Sequence, residues 1–130
     1  MSESEIQQEV QIEARRLNTM LLRNNNGAFT DSTGRTVRYG LGNISKKHSE
    51  TMKSSDLIGF RKMVVTPEMV GQTIAVFTAI EMKSEDWKST KKLDEREIAQ
   101  KNFIDLVKSW GGIASFCNSV DQLKTILGHL

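Results

Sequence analysis

The chain is poor in the residues that would place it in several specialised classes. It has one cysteine, Cys117, in 130 residues, so no internal disulfide can form and a disulfide-stapled fold is excluded. Cys117 ends the apolar run that starts at Ile113, a setting that points to a buried structural thiol and not to a nucleophile. No apolar run approaches the ~18 residues that span a membrane. The longest, Ile74 to Ile80, is strand-sized and is interrupted by Thr78. The two histidines, His48 and His129, are far apart, which argues against a histidine metal site. No Gly-Lys-Ser/Thr follows Gly40 and Gly42, so these glycines do not make a nucleoside-triphosphate loop. The start, Met1-Ser2-Glu3-Ser4-Glu5, is acidic and lacks the positive and apolar stretches of a signal peptide. A cytoplasmic protein is expected.

What remains is the composition of an ordinary globular chain. The apolar share is 38% and the charged share 26%, and the length suits a single domain over residues 1–130. A net charge of +2 is too small to announce nucleic-acid binding, but the charges are unevenly spread. Residues 1–13 hold four glutamates and no lysine or arginine, while Lys46, Lys47, Lys53, Arg61, Lys62, Lys83, Lys88, Lys91 and Lys92 fill the middle.

Periodicity gives the elements. Ile6, Val10, Ala14, Leu17 and Leu21 recur at helical spacing, with Ser2 or Ser4 able to cap the start and Asn24-Asn25-Asn26-Gly27 ending the helix. Residues 27–55 read as loop, with a short strand at Arg35 to Tyr39. Asp56 to Phe60 is strand-like, Thr66-Pro67-Glu68 is a turn, and Thr73 to Lys83 is the best strand. A basic loop, residues 84–92, precedes an amphipathic helix from Leu93 to Trp110, whose Ile98, Phe103, Ile104, Val107 and Trp110 face inward. Gly111-Gly112 stops it. Ile113 to Phe116 is a buried strand, and Ser119 caps a last helix carrying Val120, Leu123, Ile126 and Leu127. The order predicts an α/β fold, a central mixed β-sheet flanked by helices.

Three residues carry the chemistry. Asp56 opens one strand, and Glu81 and Lys83 close another. Two acids at neighbouring strand ends can share one hard divalent ion. Glu81 and Lys83, two apart on a strand, project from the same face. A lysine beside metal-activated water stabilises a developing hydroxide or the crowded phosphate. An acid-x-lysine strand end is common by chance, and its bland reading is a solvated ion pair. An acid opening the preceding strand and an amphipathic helix following raise its weight.

Seven stretches then resemble the virus-type replication-repair nuclease family, a branch of the restriction-endonuclease-like superfamily. They are Glu3-Ser4-Glu5-Ile6-Gln7, Arg23-Asn24-Asn25-Asn26-Gly27, Arg38-Tyr39-Gly40-Leu41-Gly42, Ser54-Ser55-Asp56-Leu57-Ile58-Gly59, Ile80-Glu81-Met82-Lys83, Gln100-Lys101-Asn102-Phe103-Ile104 and Gly111-Gly112-Ile113-Ala114. They follow the family's order and span nearly the whole chain. The resemblance implies a restriction-endonuclease-like core and a Mg²⁺ or Mn²⁺ ion held by Asp56, Glu81 and the main-chain carbonyl of Met82. It implies Lys83 as catalytic lysine, a supporting Gln100, and an acid from the first helix. Stand-alone members come mostly from phage and bacteria, which would put a phage-encoded protein in the host cytoplasm. They act as homodimers on branched DNA, as Holliday-junction resolvases do.

One position departs from the family. Lys53 stands where a glycine precedes the strand aspartate, so the loop into the site differs, or Lys53 itself meets a phosphate. For the acid of the first helix, Glu3 lies one turn before Ile6 on the apolar face, Glu5 points to the opposite side, and Glu9 and Glu13 flank the edge. This favours Glu3, although the helix dipole alone draws glutamates to such a start. The expectation is a metal-dependent DNA endonuclease, structure-specific on branched DNA. Lys46, Lys47, Lys53, Lys91 and Lys92 hold its phosphates, and the apolar last helix, to Leu130, serves a homodimer. A nuclease without junction preference and a non-catalytic DNA-binding subunit are the alternatives.

Overall fold

The computed structural model describes residues 2–128. Expectations for His129 and Leu130 lie outside the described residues. The chain forms two compact units, residues 1–61 and 62–130. Both are mixed α and β, and among the described residues no helix is long and apolar enough to cross a membrane.

The first unit opens with α1, Glu3–Arg16. Ser2 caps it through a reciprocal pair: the Glu5 N–H donates to Ser2 Oγ at 3.1 Å, and the Ser2 N–H donates to Glu5 Oε2 at 2.7 Å. The helix ends earlier than the apolar pattern predicts. Asn18 takes a left-handed conformation, φ 55°, and the chain turns into β1, Thr19–Arg23, so Leu21 is a strand residue. The inward face is also rotated from the expected one. Ile6 and Val10 are 48% and 42% exposed, while Gln7 and Gln11 are half-buried and Ala14 is buried. A hydrogen bond decides this register, because Gln11 Nε2 donates to the Leu21 carbonyl at 3.1 Å. A long polar side chain reaches the neighbouring strand where an isoleucine would leave its carbonyl unpaired.

Strand β1 pairs antiparallel with β4, Leu57–Arg61, and sets Met20 opposite Phe60, both buried. A Cβ on Gly59 would strike the Met20 carbonyl oxygen, so the close approach of the two strands depends on glycine there. Between them the supposed loop holds the expected short strand and two unpredicted elements, a second strand and a short helix. Strands β2, Gly27–Thr30, and β3, Thr36–Tyr39, form a hairpin, and α2, Lys46–Thr51, is a short helix capped by Ser45.

The second unit is a strand-helix-strand crossover closed by a helix. Strand β5, Thr78–Met82, runs parallel to β6, Ile113–Cys117, with α3, Glu95–Ser109, between them in sequence. Helix α4, Val120–Leu127, follows, with Ser119 Oγ accepting from the Gln122 N–H as expected. Strand β5 is shorter than predicted, since residues 73–77 lie outside it. Val107, Ile104, Ala114 and Cys117 are the buried core, whereas Ile98 and Phe103 are exposed despite their helical spacing. The Cys117 thiol is buried and donates to the Ser119 carbonyl at 3.2 Å, the structural role expected of it. Among the described residues the strands pair in three ladders, β1–β4 and β2–β3 antiparallel and β5–β6 parallel, with helices flanking them.

Candidate active site

In the second unit, two of the predicted residues, Glu81 and Lys83, lie on one face at the end of β5. Residues 81 and 83 share that face because side chains alternate along a strand, and α3 lies over it. Gln100, on α3, joins them. Its Nε2 donates to Glu81 Oε1 at 2.8 Å, and its Oε1 accepts from Lys83 Nζ at 2.8 Å. The amide therefore fixes both groups at once, with its orientation set by the opposite needs of a carboxylate and an ammonium. Glu81 and Lys83 are half-buried, and the Lys83 ammonium lies 5.2 Å from the Phe116 ring centre.

The backbone at Met82 points elsewhere. Phe77 accepts from the Ile113 N–H and Lys83 donates to the Cys117 carbonyl, so odd-numbered residues of this stretch face β6. Even-numbered ones, Met82 among them, face the opposite edge, where among the described residues of this unit no further strand pairs. The Met82 carbonyl, one carboxylate oxygen of Glu81 and the Asp56 carboxylate are hard oxygen donors, the type that Mg²⁺ and Mn²⁺ take. Among the described residues, no group of three or more His, Cys, Asp or Glu side chains is gathered at one place.

A further residue of this site escaped the sequence reading. Glu97 is a buried acid, 4% exposed. Its carboxylate accepts from Trp87 Nε1 at 2.6 Å and from the Asp94 N–H at 3.2 Å, and lies 3.1 Å from Lys91 Nζ and 3.6 Å from Lys83 Nζ. The Trp87 bond, then those from Asp94 and Lys91, hold its carboxyl down to about 2 against the opposing effect of burial. Asp94-x-x-Glu97 is a capping box, and that spacing was the signal available in the sequence. The Trp87 ring lies tilted against Phe116, 4.9 Å between ring centres, and so packs the loop of residues 84–92 onto the unit. Lys91, expected on a DNA phosphate, is engaged by Glu97, and Lys92 is exposed.

The depressed Glu97 pKa makes a testable statement. Its contribution is fully present above its ordinary value near 4.5 and is lost as pH falls toward about 2. The groups facing it are Lys83, Lys91 and Asp94. Melting followed by circular dichroism should put wild type above Glu97→Gln by a constant margin near neutral pH, with the gap closing in acid. A gap that is the same at about pH 6 and about pH 2.5 would refute the assignment.

In the first unit Asp56 precedes β4, is exposed, and extends the ladder through its carbonyl, which accepts from the Asn24 N–H at 2.8 Å. Asn24 Nδ2 donates to Ser54 Oγ at 2.7 Å and to the Ser55 carbonyl at 2.9 Å, tying down the segment that ends at Asp56. Glu3 is exposed, not buried as the apolar-face argument assumed. It still heads the stripe Gln7, Gln11, Ala14 that turns inward. Glu5 is occupied by its cap and Glu13 by Arg16 at 3.2 Å. Lys46 and Lys47 open α2 and are exposed; Lys53 is exposed beside Asp56 on the wall of a cavity.

No family model, curated protein or solved structure matches the chain. The geometry of the two units therefore carries the functional argument.

Proposed function

We propose that the chain is a Mg²⁺- or Mn²⁺-dependent DNA endonuclease with a restriction-endonuclease-like core, related to the virus-type replication-repair nucleases. The observation that carries this reading is the Glu81–Gln100–Lys83 chain, in which one amide orients an acid and a lysine on the same strand face. An ordinary strand-end ion pair has no need of a half-buried amide between its members. On this reading Asp56, Glu81 and the Met82 carbonyl would hold the ion, with Glu3 as a further acid from α1. When bound, the ion lowers the pKa of water and polarises the phosphoryl oxygen. Lys83 supplies a fixed positive charge where negative charge grows on the phosphate, and Gln100 keeps that ammonium in place. Lys46, Lys47, Lys53 and Lys92 hold neighbouring phosphates, and Lys91 does so from its contact with Glu97.

The substrate within this reading is branched DNA, cut by a homodimer whose two sites match the two-fold symmetry of a four-way junction. Exposed apolar residues at both ends of α4, Val120 and Leu127, are available to such an interface. The test is cleavage of an end-labelled four-way junction and of a linear duplex of matched sequence, each with Mg²⁺ and with EDTA. Metal-dependent cutting that favours the junction is the expected result. Equal cutting of both would retain the nuclease and remove the junction preference. No cutting with either Mg²⁺ or Mn²⁺ would leave a DNA-binding subunit.

A further inference from the structure

A cavity of about 520 Å³ opens in the first unit beside Asp56. Its volume falls in the range of small-ligand sites. The segments that line it come from the β1–β2 connection, β3, the turn after β3, α2 and the stretch before Asp56. The walls are held by polar side chains spent on one another. Besides its two donations, Asn24 accepts the Leu41 N–H at 3.1 Å through Oδ1. Ser54 Oγ donates to the Leu41 carbonyl at 2.6 Å, and Asn26 Nδ2 donates to Ser54 Oγ at 3.1 Å. Asn43 Nδ2 bridges the Gly27 and Tyr39 carbonyls at 2.7 and 2.8 Å. Gly40, at φ +100°, lets the chain close over this network, since a Cβ there would strike the Asn26 side chain and the Asn25 carbonyl. The shape is built before any ligand arrives.

Three lining side chains are left with bonds to give. Among the described residues, Arg38 makes one long contact, 3.4 Å from Nη1 to Asn43 Oδ1, and no ion pair, and Lys53 and the Asn25 amide make no side-chain bond. The charged lining residues are Arg38, Lys53 and Asp56, two cations against one carboxylate. A half-buried arginine without an acid favours an anion with several acceptor oxygens. A cavity this size leaves room beyond a phosphate, and an exposed carboxamide pairs with a base edge, adenine above all.

We propose that this cavity binds one nucleotide of a DNA strand, with Arg38 and Lys53 on its phosphate and Asn25 on its base. The polymer rests on the nuclease reading; the preference for a phosphate bearing a base does not. Under that reading the nucleotide flanks the one whose phosphodiester is cut at Asp56. Lys53, which replaces the family's glycine, then trades a permissive turn for a phosphate contact.

The test is binding of a short fluorescein-labelled oligodeoxyadenylate and of its abasic analogue, by anisotropy in EDTA, so that cleavage plays no part. Lys53→Gln and Arg38→Ala should each weaken both probes about tenfold. Each should also flatten the slope of log affinity on log salt by about 0.7, the value of one single-strand phosphate contact. Arg38→Lys, which keeps the charge, should retain the slope and guards against loss of fold in Arg38→Ala. Asn25→Ala should weaken the adenylate about tenfold and spare the abasic strand. Unchanged slopes in Lys53→Gln and Arg38→Ala overturn the proposal, whatever the protein cuts. If these shifts occur while wild type cuts no DNA with Mg²⁺ or Mn²⁺, the cavity assignment stands and the nuclease reading fails.

Discussion

Asp56→Asn and Glu81→Gln should each lower Mg²⁺-dependent cleavage by about 10³-fold or more while DNA binding persists. Both changes keep the side-chain shape and remove a negative charge from the donor set proposed above. Neither should unfold the protein. Asp56 is exposed, and only its main-chain carbonyl serves the ladder with Asn24. At Glu81 the substituted amide can still present an oxygen to Gln100 Nε2, so the bond of 2.8 Å has a replacement. Unaltered melting with lost cleavage separates a chemical role from a structural one. Full cleavage by either variant would remove its residue from the site.

The second large effect is expected at Lys83. Lys83→Met keeps the aliphatic stem and removes the charge, and should slow cleavage by about 10²–10³-fold, the cost of losing one preorganised charge stabiliser. Lys83→Ala is the poorer probe, because a shortened side chain also opens space between Phe116 and Glu97. Affinity for the divalent ion should hold or rise, since a neighbouring positive charge is gone. Single-turnover measurement at saturating metal isolates the chemical step. A near-normal rate would make Lys83 a structural partner of Gln100 and Glu97 and nothing more.

What was legible in the sequence depended on whether local signals and tertiary needs agreed. Strand β6, α3 and α4 were readable because caps and apolar residues coincide, with Ser119 at the start of α4 and Gly111 after α3. The first helix misled because its apolar residues, Ile6 and Val10, are not the ones it turns inward; Gln11 decides the register through a bond to Leu21. Residues 27–55 read as loop because glycine, serine, threonine and asparagine weaken strand propensity. There the hairpin is held by side-chain bonds, as Asn43 holds Gly27 and Tyr39, and such bonds leave no periodic trace. In the candidate site, Glu81 and Lys83 were visible from spacing alone. Gln100 needed the family resemblance. Glu97 needed only attention to its capping box, but its second duty, to Trp87 and Lys91 across the 84–92 loop, depends on the folded chain.

The parity of β5 has a consequence for solvent isotope exchange. The Ile80 and Met82 amides point away from β6, toward an edge that carries no ladder among the described residues of their own unit, whereas those of Ala79 and Glu81 are tied into one. Any slow deuteration at Ile80 and Met82 is then imposed from outside that ladder. Two adjacent residues on one strand thus report on different things, Glu81 on the integrity of its own unit and Met82 on what meets the edge where its carbonyl stands.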